Sequence, residues 1–380
     1  MNAYRHWLTR FQANDLCDFT LTEEGLLWLK LRSIERRELL SRFVDMAHLS
    51  VDGHKTKDKM EDIWQQLCVS DGVREALGRF LERCQIEENR RIKDCFETIR
   101  SNLYQMESFH WGGGFRNSLD KAIVSRFVKT DEIVPYSMLE GICDGELKAM
   151  SRGYLLNSWY DYWSSVLVEN IFRRNRNVVP APGKIKNVDF FVKDVPFDLK
   201  VTYLPKEYAK EQMKRLGIRE PVQVLKKFAR EQRIPFDRSA DPEHVRYEIE
   251  QRIRDANQTE GLRVLDAIRG DWKRLVTEAQ NNPRDLAKWL YENQGDMRFG
   301  AENRVFVILI DCDEPQGSWK LKRNVELIEP SVKRWVRDFD RSGLNSLRTE
   351  FSFRGKSYRT FSDVIFVCRQ GAGRCGSDGD

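Results

Sequence analysis

The stretch 186-KNVDFFVKDVPFDLKVTY-203 decides how this chain is read. Two short runs rich in Val, Phe and Leu flank Lys193-Asp194-Val195-Pro196, which has room only for a tight turn. The pattern predicts a β-hairpin. Side chains alternate between faces along a strand, so Asp198 and Lys200 share one face. A turn centred on Asp194 and Val195 places Asp189 opposite Lys200 and Phe191 opposite Asp198. Both carboxylates and the lysine then point one way. Val188, Phe190 and Val192, opposite Phe197, Leu199 and Val201, form an apolar surface on the other side. A slip of one residue would scatter both sets.

The segment before the hairpin, 154-YLLNSWYDYWSSVLVENIF-172, reads as a strongly apolar helix. Leu155, Trp159, Tyr162, Val166 and Glu169 recur at steps of three and four, so Glu169 continues an apolar stripe. An acid on a packed face is costly unless it is paired or ligates a metal. Downstream, 304-RVFVILI-310 is a continuous β-rich apolar run, as expected of a strand buried on both faces. A helix is expected over about 319–340, and SDVIFVCR at 362–369 reads as another buried strand. Setting aside a helical insertion at 203–301, the order is helix, strand, strand, strand, helix, strand. That is a small α/β core with a mixed sheet.

Asp189, Asp198, Lys200 and Glu169 suit phosphodiester hydrolysis. Magnesium prefers hard oxygen ligands and keeps several waters. A bound ion acidifies water and polarises a phosphate. A lysine beside it supplies positive charge to the transition state or orients the attacking water.

This set resembles the PD-(D/E)xK nuclease superfamily. The resemblance implies the restriction-endonuclease-like fold, which has the same element order. Asp189 matches the first metal-binding acid, Asp198 the second, Lys200 the catalytic lysine and Glu169 the helical acid of many members. It further implies that the Leu199 backbone carbonyl ligates the metal, that the ion is Mg2+, and that Mn2+ substitutes for it. The proline that names the motif is absent, because Val188 precedes Asp189. The likeness covers roughly 151–202 and 302–369. It implies a DNA endonuclease of restriction or anti-phage defence, working with a defence-system partner protein. A homodimer fits double-strand cleavage, which needs two sites.

Several cations are candidates for gripping a nucleic-acid backbone. Arg173, Arg174 and Arg176 follow the helical acid, and Lys184 and Lys186 flank Asp189. Lys320, Lys322 and Arg323 open the helix expected at 319, where positive charge opposes the helix dipole. Lys320, Lys322 and Arg323 also have a plainer reading as a solvated face. Asp311 and Asp313 end the strand 304–310, either as a polar strand end or near the site. Trp159, Tyr160, Tyr162 and Trp163 read as core residues or as base-stacking residues.

Residues 1–150 read as a mainly helical domain for recognition or assembly. Thr20 and Glu23 have capping-box spacing. A proline-free stretch from Asp71 to Phe109 carries Val73, Leu77, Leu81, Cys84, Ile92, Cys95, Ile99, Leu103 and Met106 on one helical face. That helix packs within its own fold or against a partner subunit. The glycines of 110-HWGGGFR-116 end it, as an interdomain turn or as a phosphate-contacting loop. Residues 206–238 hold ten Lys or Arg against five Asp or Glu, a local excess of +5.

With 380 residues the chain exceeds one ordinary domain. Hydrophobic residues at 41% allow a real core, and a net charge of +5 permits nucleic-acid binding without requiring it. None of the eight cysteines forms a C-x-x-C pair, and the five histidines make no metal pattern, which points away from zinc. The cysteines read as reduced thiols of a cytoplasmic protein. The N-terminus lacks a signal peptide's apolar core, and no apolar run approaches the ~20 residues needed to span a bilayer. The tail 370–380 is expected to be disordered. The rival readings are a non-catalytic DNA-binding or assembly protein with this fold, and a nuclease of RNA or single strands.

Overall fold

A computed structural model describes residues 3–13, 17–52, 55–107, 136–183, 187–293 and 302–369, with Leu119, Ile123 and Phe127 between. The glycine loop at 110–116, Lys184, Lys186 and the tail 370–380 lie outside the described residues.

The hairpin is present. Strand β2 (Phe190–Val192) runs antiparallel to β3 (Val195–Tyr203), with Phe190 opposite Phe197, Phe191 opposite Pro196 and Val192 opposite Val195. The turn is therefore Lys193-Asp194, one residue earlier than the pattern predicted. Both residues have positive φ, 44° and 68°. A two-residue turn that follows the strands' twist needs this at both central positions. Asp tolerates it, whereas β-branched Val195 does not. The shift moves every cross-strand partner by two residues. Asp189 thus lies level with Asp198 rather than Lys200, but Phe190, Phe191 and Val192 keep the facing that the pattern gives them.

Among the described residues β1 (Val178–Pro180), β2, β3, β4 (Arg304–Asp311), β5 (Arg348–Phe353) and β6 (Lys356–Arg369) form one mixed sheet in the order β1-β2-β3-β4-β6-β5. The sequence reading missed β1 (Val178–Pro180) and β5 (Arg348–Phe353). Strand β4 (Arg304–Asp311) is buried at every position and pairs in parallel with both β3 and β6 (Lys356–Arg369). Parallel neighbours on both edges and packed layers on both faces account for its unbroken apolar run.

One layer holds two helices, from Lys148–Arg173 and Val325–Asp338. They bury Leu167, Ile171, Phe172, Ile328, Val332 and Val336 against Phe190, Phe197, Val305, Val307 and Val367. Phe172 stacks on Phe190 at 4.9 Å, and Phe197 meets Trp335 edge-on at 5.8 Å. Each such ring contributes about 1.5–3 kcal/mol by leaving water. The expected helix over 319–340 is split. A 3-10 helix at Pro315–Arg323 precedes the α-helix, whose start is capped by the Asn324 side chain.

The opposite face is covered by the insertion. Helices Lys206–Arg215, Thr259–Asn281 and Pro283–Asn293 supply Tyr208, Met213, Leu275, Leu286 and Leu290 against Phe306, Ile308 and Ile310. The insertion is thus part of the main core. Its remaining helices, Pro221–Glu231 and Pro242–Ala256, make a satellite core from Leu225, Phe228, Val245, Ile249 and Ile253.

The N-terminal helices grip the hairpin. Phe191 and Val188 pack with Trp28, Leu29, Ile34 and Phe80. The Gly183 N–H donates to the Ser33 carbonyl at 2.7 Å, and a Cβ there would meet that oxygen at 2.2 Å, so only glycine fits. The long helix Asp71–Tyr104 joins both cores. Its first half packs with these helices through Leu77, Leu81 and Cys84, and its end meets the sheet through Ile99 and Leu103. The expected capping box is displaced: Thr22, not Thr20, caps helix Glu23–Arg32 by accepting from the Gly25 N–H.

The β5–β6 turn, Arg354-Gly355, also has two positive φ angles, 48° and 74°. Asn favours that backbone at the first position. Arg354→Asn is expected to raise the urea midpoint by the equivalent of about 0.5–1 kcal/mol. A lowered midpoint would contradict this account of the turn.

Candidate active site

At the open end of the hairpin the ladder gives way to side chains. Asn187 has φ 79°, and this twist turns Val188 away from Phe190 into the N-terminal core, against expectation. Half-buried Asp189 lies just before β2. Its N–H donates to the Phe197 carbonyl at 2.9 Å, and its carboxylate accepts the Leu199 N–H at 2.8 Å. The carboxylate thus replaces the backbone acceptor that the twisted strand no longer offers.

Asp198 is the first residue of β3 to pair with β4, directly beside Arg304. Only 7% exposed, it is held by two cations. Lys200 Nζ lies 3.1 Å from its carboxylate, and Arg304 Nε lies 3.2 Å from Oδ2. Arg304 also reaches Glu302, 3.1 Å away, and sits over the Tyr291 ring at 5.0 Å. Glu302 and Arg304 are 0% and 2% exposed. The sequence reading missed both. Nothing in their local pattern marks them, because the parallel register across the insertion alone brings Arg304 to Asp198.

The backbone at 302–304 is stitched in place. The Asp198 N–H donates to the Asn303 carbonyl at 2.9 Å. Asn303 Nδ2 donates to the Pro196 carbonyl at 3.0 Å and to Thr20 Oγ1 at 2.7 Å. Thr20, misread as a cap, is a buried brace for the strand beside the site.

Glu169 sits on helix Lys148–Arg173, close enough for its charge to act on Asp189, and accepts from Arg173. The reason given for it from sequence needs correction. Leu155 and Tyr162 of the expected stripe are exposed, and the buried face runs through Tyr160, Ser164, Leu167 and Ile171. Glu169 therefore lies beside the packed face rather than on it. Of the aromatic group, Tyr160 is fully buried and donates to the Trp319 carbonyl at 2.9 Å, as a core residue does.

Burial pushes the Asp189 carboxyl up to about 7, with the charges of Asp198 and Glu169 adding to it against the Leu199 N–H and Lys200. Burial likewise raises Glu302 to about 7, opposed by Arg304. The native state then keeps a proton on Asp189 between about pH 4 and 7, where the unfolded chain has lost it. Stability attributable to this group falls as pH rises through that window. Asp189→Asn is expected to melt progressively higher than the parent protein, without added metal, as pH goes from 5 to 8. A difference independent of pH would contradict the raised value.

The proposed phosphate-gripping cations are scattered. Arg173 is buried and paired with Glu169, with Glu88 at 3.9 Å. Lys322 is 5% exposed and bonds the Asp161 carbonyl at 3.2 Å. Arg323 donates to the carbonyls of Leu103 and Met106, tying down the end of the long helix. Arg174, Arg176 and, in part, Lys320 face solvent. Asp311 is a strand-end cap, accepting the N–H groups of Asp313 and Glu314 and pairing with Arg369.

Among the described residues, no three His, Cys, Asp or Glu side chains already converge as a metal cage. The donors nonetheless fit a hard divalent cation. Two crowded carboxylates repel each other, and a dication relieves that repulsion while its waters fill the remaining positions. No helix among the described residues is long and apolar enough to cross a membrane. None of the seven described cysteines is in a disulfide. No family model, curated protein or solved structure matches this chain.

Proposed function

We propose that this chain is a Mg2+-dependent DNA endonuclease with a restriction-endonuclease-like core, and that Asp189, Asp198, Lys200 and Glu169 form its site. The observation that supports this reading most is the pairing of Asp189 with Asp198 at the open end of the hairpin, with Lys200 on the carboxylate. Burial, with the charges of Asp198 and Glu169 adding to it, raises the Asp189 carboxyl to about 7, an arrangement that costs stability.

Asp189, Asp198 and the Leu199 carbonyl would hold the ion, with Glu169 beside them. Mn2+ would substitute. When bound, the ion supplies an acidified water and a polarised phosphate. Lys200, with a side chain 28% exposed, can leave Asp198 to place its charge on the scissile phosphate or to orient the water. Leu199 and Val201 hold the strand from the core side, so that movement leaves the backbone fixed. Arg174 and Arg176 are the solvent-facing cations suited to the DNA backbone. A homodimer, a defence-system partner and a role in restriction remain with the resemblance that implied them.

A second reading has one observation in its favour. Arg304 and Lys200 already neutralise Asp198, as in a purely structural ion cluster. A non-catalytic DNA-binding protein with this core needs no more. Plasmid, linear duplex DNA, single strands and RNA incubated with Mg2+ or EDTA separate the two. Cutting of duplex DNA that EDTA and Asp198→Ala both abolish supports the nuclease. Cutting of RNA or single strands alone moves the substrate class. Binding without cutting of any substrate favours the second reading.

A further inference from the structure

We propose that Glu302 is a positioning residue which sets, through Arg304, the charge that Asp198 presents to a divalent cation. The inference rests on the reading of Asp198 as a metal ligand. Glu302 never touches the ligand itself. Its Oε2 lies 3.1 Å from Arg304 Nη2, while Arg304 Nε lies 3.2 Å from Asp198 Oδ2. One guanidinium thus divides its attraction between two buried acids.

The place of Glu302 is built rather than incidental. Its carbonyl accepts from the Tyr291 hydroxyl at 2.8 Å and from the Thr360 hydroxyl at 2.6 Å. Tyr291 comes from the insertion and also lies under Arg304. The side chain is fully buried, and its Oε1 has no hydrogen-bond partner among the described residues. Burying a carboxylate with one oxygen unbonded is expensive, and a role in core packing would be met better by an apolar residue.

Charge explains what the acid does. With every carboxyl ionised, as at pH 8, Glu169, Asp189, Asp198 and Glu302 face Arg173, Lys200 and Arg304, leaving these seven groups one unit negative. Without Glu302 the cluster is neutral, and the whole field of Arg304 falls on Asp198. A dication then meets a carboxylate already satisfied by a cation that cannot withdraw, since Arg304 is 2% exposed and fixed over Tyr291. Lys200 can step aside, but Arg304 cannot. Glu302 is what keeps that immobile cation from closing the site.

The test uses the full-length protein without nucleic acid, titrated with Mn2+ alone at pH 8 and followed by electron paramagnetic resonance. Glu302→Gln is expected to weaken Mn2+ binding on the order of tenfold, the effect of one unit charge on a dication several ångströms away at a high, water-like effective dielectric. Glu302→Asp keeps the charge and is expected to stay within about threefold of the parent. Mn2+ affinity unchanged in Glu302→Gln overturns the proposal. So does Glu302→Asp binding as weakly as Glu302→Gln, which would make shape rather than charge the cause. If Glu302→Gln loses its cooperative melt, the double variant Glu302→Gln/Arg304→Gln carries the test. It removes both charges together, so parental affinity supports the proposal and a tenfold loss overturns it. Parent and Asp198→Ala binding Mn2+ equally well would instead sink the metal site itself, a result distinct from either.

Discussion

Lys200→Met is expected to slow DNA cleavage by about 10³-fold while leaving the fold and Mn2+ binding intact. Methionine keeps the length of the lysine stem without its charge. The Lys200 side chain is 28% exposed, so no buried cation is lost. Its backbone neighbours stay packed, with Phe306 opposite it on β4 and Val201 in the sheet core. Asp198 keeps Arg304, so the carboxylate holds its orientation. Metal affinity should be unchanged or slightly tighter, because a competing cation has gone. Asp198→Asn should behave differently and lose Mn2+ binding together with cleavage. Measuring kcat and Mn2+ affinity on both variants separates the two roles. Lys200→Met that cuts at the parental rate would remove Lys200 from the chemistry. Loss of metal binding in that variant would make it part of the metal site's scaffold instead.

The largest stability effect is expected at Arg304. Arg304→Met should destabilise the protein by about 3–5 kcal/mol, as for one partner removed from a buried ion pair. Glu302, at 0% exposure, loses its ion-pair partner, and Asp198, at 7%, is left with Lys200 alone. Glu302→Gln added to Arg304→Met should recover part of the loss, since one stranded charge becomes a neutral amide. Urea denaturation of the single and double variants reads this directly. An Arg304→Met variant within 1 kcal/mol of the parent would mean that the cluster relaxes to solvent and is not the closed network seen here.

Chain pattern and tertiary structure divided the site between them in a definite way. The alternation in 190–203 carried the shared facing of Asp198 and Lys200, because a period of two is a property of the strand itself. It did not carry the register. Positive φ at Lys193 and Asp194 moved the turn, and Asp189 came level with Asp198. Within β2 and β3 parity survived because that shift changes partners by two residues, not one, while at Val188 the twist at Asn187 broke it. Glu169 was found by an argument that its helix does not obey. Leu155 and Tyr162, counted as its stripe, are exposed. A helix so rich in apolar residues offers more than one apparent face, and only the packed layer chooses.

Local sequence by itself therefore determined that a hairpin forms here, that Asp198 and Lys200 share a face, and that 304–310 is a strand buried on both sides. Those follow from side-chain period and apolar content, which act within a few residues. Only the tertiary structure decided what surrounds that face. Parallel pairing brought Arg304 to Asp198 across the whole insertion, Tyr291 came from the insertion to lie against Arg304, and Thr20 came from the N-terminal helices to brace Asn303. Such neighbours are set by which layers cover the sheet and by the register of β4. The burial that raises the carboxyls of Asp189 and Glu302 exists only once those layers have closed.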